Sequence, residues 1–210
     1  MRALRGLLQA ILKLASFIAL IAFVLKVFFV DAFVMPHNGM APTLVYGDRI
    51  LVWRRAKPDM GDIMLCQHPS KPDASVIGRA VAFSGHTIDV DSRGQLTVDD
   101  DIATVEGEGE VRFYDLTREK MFTMTLGTIN YKRKHRHEFF VEQGGSFDMP
   151  SRTVERGIFL LGDNRMDSWD DSRDFGEVDP ATCHGEIFMR FTPAPDRGDD
   201  IHHGYFDFLH

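Results

Sequence analysis

From Leu7 to Val30 the sequence is almost wholly apolar, interrupted only by Gln9, Lys13, Ser16 and Lys26. Twenty-four helical residues at about 1.5 Å each span roughly 36 Å, enough to cross a hydrocarbon core of about 30 Å. The apolar residues form no 3.6-residue stripe, as expected when lipid surrounds a helix on every side. A buried core helix is a poorer reading, because the run is apolar all round. A cleaved signal peptide shares the basic start and the apolar run. However, Lys26 and the resumed Val27–Val30 run favour a retained anchor, with Lys26 snorkelling toward headgroups.

Charge separates this segment from the rest. Arg2, Arg5, Lys13 and Lys26, with no acid, give residues 1–30 a charge of +4. The other 180 residues hold 20 bases and 31 acids and carry −11, for a net charge of −7. Arg2 and Arg5 precede the span, so the positive-inside rule places the N-terminus in the cytoplasm and residues 31–210 outside. An acidic balance of this size argues against nucleic acid as a partner.

Beyond residue 35 short apolar runs alternate with Gly, Pro and Asp. Strands are predicted over residues 49–54, 62–67, 75–83, 87–90, 95–98, 121–126, 158–161 and 186–192, with no convincing amphipathic helix. The fold class is therefore mainly β: a single transmembrane helix followed by an antiparallel β-rich domain. Residues 98–110, with Asp99–Asp101 and the Glu106-Gly-Glu-Gly-Glu110 run, read as a solvated acidic loop. The basic run Lys132–His137 reads as an exposed strand or loop face, or as a contact for anionic lipid headgroups. Cys66 and Cys183 read as two separate buried thiols, with a disulfide as the alternative in an oxidising compartment. The acids at 163, 167, 170, 171 and 174 lack EF-hand spacing, and the His202-His203 pair stands without a metal-binding pattern. No metal or cofactor is expected.

Four ordered boxes carry a family resemblance. The first is Pro36-His37-Asn38-Gly39-Met40-Ala41-Pro42-Thr43-Leu44, followed by Gly47-Asp48. The second is Gly61-Asp62-Ile63-Met64, and the third runs from Ile77 through Gly78 and Arg79 to Gly85. The fourth is Gly162-Asp163-Asn164-Arg165 with Ser168 and Asp171-Ser172-Arg173. The sequence resembles the bacterial type I signal peptidase (leader peptidase) family from about Leu25 to Phe191, with a divergent insert over 91–156. The resemblance implies a β domain at the outer face of the cytoplasmic membrane. It also implies a serine endopeptidase chemistry that removes signal peptides during protein export.

That chemistry needs a serine nucleophile and a lysine base of lowered pKa, with donors for the oxyanion. On the family pattern the nucleophile position is Gly39, the base position Gly78, and the oxyanion-supporting side-chain position His37. Neither glycine has a side chain to react. Arg79 follows the base position, but a guanidinium stays protonated and is no base. By the same resemblance Pro36, Met40, Pro42, Leu44 and Ile77 shape the substrate-binding site. Asp163, Asn164, Arg165, Ser168, Arg173 and Arg79 form a structural polar network. The expectation is a non-cleaving binder or assembly factor for exported proteins, with membrane lipid and an exported or signal-peptide segment as partners. An active signal peptidase with another catalytic arrangement is the first alternative, and a structural membrane-surface protein the second.

Overall fold

A computed structural model describes residues 2–92, 94–131, 135–141, 148–166 and 171–209. Helix α1 spans Arg2–Phe28, and its stretch Arg5–Phe28 is long and apolar enough to cross a membrane, with none of it buried against the domain. The helix ends before the apolar run does. Arg54 takes up its last carbonyls, donating through Nη1 to Val27 O and through Nη2 to Lys26 O, each at 3.2 Å. The Arg54 guanidinium also pairs with Asp31 at 2.6 Å. With its terminal acceptors satisfied this way, the chain leaves the helix and Val30 opens strand β1 (Val30–Val34).

The domain is mainly β, as the alternating apolar positions require. In chain order the next strands are β2 (Arg49–Trp53), β3 (Ile63–His68), β4 (Lys71–Phe83), β5 (Thr87–Val90), β6 (Leu96–Val98) and β7 (Asp101–Ile102). They are followed by β8 (Thr104–Asp115), β9 (Lys120–Tyr131), β10 (His135–Val141), β11 (Met149–Thr153), β12 (Ile158–Leu161), β13 (Cys183–Thr192) and β14 (Asp207–Phe208). One short helix, α2 (Ser172–Phe175), is capped by Asp171. The principal sheet runs β1-β2-β13-β3-β4-β12, with β14 on β13, and its pairs are antiparallel. Strands β11-β5-β6-β7 and β10-β9-β8 form two further sheets.

Three expectations are corrected. Residues 98–110 are not a loop: they supply β7 and much of β8, where Val105 pairs with Ile129 and Glu110 with Thr125 of β9. The Glu-Gly alternation is a period of two, and Glu106 and Glu110 are exposed while Ala103 and Phe113 are buried. Cys66 and Cys183 are not separate thiols. They face each other in the β3–β13 register and are joined in a disulfide across 117 residues of sequence. Third, Phe29 and Val30 lie outside α1. Residues 132–134 of the basic run fall outside the described residues, and 135–137 open β10.

The core is shared among the sheets. Met35, Met40, Leu44, Ile50, Ile63 and Ile77 lie in one buried cluster under the principal sheet. Phe113 and Met124 pack on Ala41 and Val45. The β8–β9 hairpin is thereby fastened to the loop between β1 and β2, which carries the first sequence box.

Candidate active site

The β1–β2 loop is built from its backbone. Met35 N donates to Asp48 O at 2.8 Å, Gly47 N to Met35 O at 3.0 Å, and Leu44 N to Met40 O at 2.9 Å. Asp48 anchors its end by accepting from Val45 N (3.0 Å) and Ala194 N (2.7 Å). Burial pushes the Asp48 carboxyl up, but His203, the two backbone donors and the Arg190 charge outweigh it and hold it below the ordinary aspartate value. Asn38 ties the loop to the β8–β9 turn, donating to Asp115 Oδ1 at 2.8 Å and accepting from Tyr46 N at 2.8 Å. Asp115 behaves likewise: burial raises it, and donors from Thr117, Arg118 and Asn38 hold it low.

Gly39, at the position that the resemblance assigns to the nucleophile, is buried and bonded through both backbone groups. Its carbonyl accepts from Asn164 N at 3.0 Å, and its N–H donates to His37 Nδ1 at 3.0 Å. Gly162 lies so close that a Cβ there would stand 2.6 Å from Gly39 O. Gly78, which the resemblance assigns to the base position, sits in β4 opposite Met64 and is also buried. A Cβ on Gly78 would meet Leu160 Cβ at 2.9 Å and the Leu160 carbonyl carbon at 3.4 Å. Strand β12 occupies the space into which a Cβ at Gly78 would project. Residues 160 to 164 therefore lie against both glycines.

The residues expected to form a polar network are hydrogen-bonded as follows where they are described. Arg79 is fully buried and forks onto Asp163, Nε to Oδ1 at 3.0 Å and Nη2 to Oδ2 at 2.6 Å, with Nη1 on Gly61 O at 2.7 Å. Thr43 Oγ1 donates to Asp163 Oδ2 at 2.6 Å. Asn164 Nδ2 donates to Asn38 O at 3.2 Å. Asp171 accepts from Gly162 N at 3.1 Å and from the Arg173 guanidinium at 2.7 Å, and Arg173 Nη1 donates to Arg165 O at 2.9 Å. Arg165 donates to Gly162 O and lies 5.4 Å over the Phe139 ring. Burial lowers the Arg165 pKa to about 10, so it remains a cation at neutral pH. Ser168 lies outside the described residues.

Met40, Leu44 and Ile77 come together in one buried cluster, Pro42 is buried beside them, and Pro36 is exposed at the edge. Asn38 and Asp48 stand in the first box without a role assigned to them there, and Asp115 and Arg190 carried no sequence signal. Arg190 approaches Asp48 at 3.7 Å and donates to Asp207 at 2.9 Å and Thr43 O at 3.4 Å, tying the C-terminal segment to the loop. The Asn38–Asp115 and Thr43–Arg190 contacts join residues 77 and 147 positions apart, which no local pattern contains.

A profile of the family described as signal peptidase, peptidase S26, matches residues 8–192. Among curated relatives, signal peptidase I of Pseudomonas aeruginosa is 28% identical over 202 residues, covering 84% of this chain and 69% of that protein. Signal peptidase I of Pseudomonas fluorescens is 27% identical over 173 residues, covering 72% and 59%. That of Aquifex aeolicus is 26% identical over 213 residues, covering 86% and 82%.

Proposed function

The chain belongs to the signal peptidase family, peptidase S26, and from that membership we propose that it binds extended segments of exported proteins without cutting them. One observation carries the reading: both positions that need a reactive side chain are glycines, and the second is packed against Leu160 at a hypothetical Cβ distance of 2.9 Å. Loss of one member of a nucleophile–base unit typically lowers turnover by about 10⁴–10⁶-fold, and loss of the second adds little. The Gly39 N–H, a group of the kind that stabilises an oxyanion, is donated here to His37.

The binding part rests on sheet edges. Among the described residues β1 pairs only with β2, and residues 71–78 of β4 pair only with β3. An extended segment adding to such an edge gains ladder hydrogen bonds, and shallow apolar pockets select its side chains. Pro36, Met40, Pro42, Leu44 and Ile77 are the residues proposed to shape them.

The same reading places α1 across the cytoplasmic membrane, N-terminus inside, with Arg2 and Arg5 as the topological signal. Membrane lipid is the second partner. Phe29 stacks on Trp53 at 5.4 Å, Trp53 meets Phe188 at 6.4 Å, and Phe188 meets Phe208 at 6.4 Å. Phe206 and Phe208 are each 60% exposed. Rings of this kind suit the interfacial region of a bilayer.

Purified full-length chain in detergent, incubated with a preprotein beside the Pseudomonas aeruginosa enzyme, decides the matter. We expect no cleavage and saturable retention of the preprotein. Cleavage at a rate comparable to the control overturns the reading and restores an active peptidase. Absence of both cleavage and retention favours a structural membrane-surface protein.

A further inference from the structure

Residues 193–209 lie beyond the part of the chain that matches the family profile, and they are fastened to the domain unevenly. The first stretch is anchored from several sides. Ala194 N donates to Asp48 Oδ1 at 2.7 Å, buried Asp199 accepts from Tyr114 N at 3.0 Å, and Asp200 accepts from the Arg112 guanidinium at 2.9 Å. The second stretch, residues 205–209, is a short tip laid on one strand edge. Its Asp207 and Phe208 form β14, opposite Arg190 and Met189 on the edge of β13 that β2 does not occupy. Leu209 N adds a hydrogen bond to Phe188 O at 3.0 Å. Gly204 joins the two stretches, with open space where a Cβ would stand.

The period of two sorts the side chains of this tip. Asp207 and Leu209 turn toward the domain, and Phe208 between them is 60% exposed. Leu209 is 8% exposed and belongs to the buried cluster that holds Met35, Met40, Leu44 and Ile77. Asp207 accepts from Arg190 Nη2 at 2.9 Å. Arg190 is buried, donates through Nη1 to Thr43 O at 3.4 Å, and brings Nε to 3.7 Å from Asp48. Asp48 also faces His203 Nδ1 at 3.5 Å, so its carboxylate is shared and Asp207 supplies Arg190 with a second anionic partner. A buried cation deprived of such a partner is costly.

We propose that residues 205–209 are an intrinsic competitor at a peptide-binding edge: an extended segment adds to β13 by displacing them, with an acid in place of Asp207 at Arg190 and an aliphatic residue two positions on in place of Leu209. This deepens the peptide-binding reading above and rests on it, adding the β13 edge to the two edges named there. The tip is held lightly enough to exchange. It has two register pairs with β13 and an ion pair whose Asp207 side chain is 49% exposed, and an exposed glycine precedes it. An incoming strand remakes the same ladder bonds, so the exchange loses little backbone pairing. Side-chain chemistry then selects the ligand. A segment without the acid leaves Arg190 short of charge, and one without the aliphatic residue leaves the place of Leu209 in the cluster unfilled.

The test uses full-length chain in detergent, a preprotein with an uncleaved signal peptide, and a synthetic peptide repeating residues 204–210. The double variant Asp207→Asn with Leu209→Ser releases the tip and should bind the synthetic peptide about tenfold more tightly than wild type does. The same peptide carrying those two substitutions should not bind it. Excess parent peptide should displace the preprotein from the variant. In wild type, whose fold is not in question, saturation with preprotein should remove the hydrogen-exchange protection of the Leu209 amide. Retention of the preprotein with the Leu209 amide still protected and no displacement by the peptide overturns the competitor while leaving peptide binding intact. Equal binding of the parent and the substituted peptide overturns the selection by acid and aliphatic residue. Retention of the preprotein by neither chain overturns the peptide-binding reading and the competitor with it.

Discussion

Gly78 and Asp163 show how single residues set the character of this molecule. Gly78 has no side chain and no room for one, because the atom its Cβ would meet is Leu160 Cβ, which is fixed to backbone and cannot swing aside. Gly78→Ala should lower stability by about 1–3 kcal/mol, read as a shifted urea midpoint. Joint restoration of Gly39→Ser and Gly78→Lys should therefore leave the chain inactive against a preprotein. Asp163 holds the fully buried Arg79 through two hydrogen bonds. Asp163→Asn strands that charge and should cost about 3–5 kcal/mol by the same measurement. Asp48 and Asp115 make stability depend on pH. Their folded carboxyls titrate below the ordinary value of 3.8, so they stabilise the fold above that value, and the contribution is lost as pH falls through the lower folded values. The urea midpoint should be level above about pH 5 and fall below about pH 4, with a shallower fall in Asp48→Asn.

Two connections between elements hold the domain in shape. The Cys66–Cys183 disulfide links β3 to β13 and closes a loop of 117 residues. Removing a cross-link of that kind typically costs about 2–5 kcal/mol, so Cys66→Ala with Cys183→Ala should unfold at clearly lower denaturant than the oxidised wild type. Wild type treated with reductant should approach the double variant. The second connection is Arg54, which joins the carbonyls at the end of α1 to Asp31 of β1. It is one residue beyond β2, and Phe29 beside it stacks on Trp53 and lies 5.0 Å under the Arg55 guanidinium. Helix and sheet therefore meet at a packed joint, and the aromatic row continues from that joint across β13 and β14.

At the scale of the whole molecule, the joint and the aromatic row meet at the Phe29–Trp53 stack. Reconstituted Trp169→Phe chain, with Trp53 as the remaining tryptophan, should be quenched by brominated lipid. Indifference of its emission would remove lipid from the partners of this face. The amino-acid order alone determined the apolar span, the mainly β class, the four boxes and the two glycines, because each depends on local composition or on spacing within a few residues. It also carried the Glu-Gly alternation of β8, which was masked by its acidity, since charge suggested a loop while the period of two specified a strand. The tertiary structure decided what no local pattern contains: that Cys66 and Cys183 share a register, that Leu160 fills the space at Gly78, and that Asn38 meets Asp115. It likewise decided that His37 takes the N–H of Gly39, a bond only two residues long in sequence but set by the Asn164 and Asp115 contacts that hold the loop. The physical reason is common to all four. Sequence periodicity specifies which face of an element is buried, whereas the partner on that face is chosen by sheet register and packing between residues far apart in the chain.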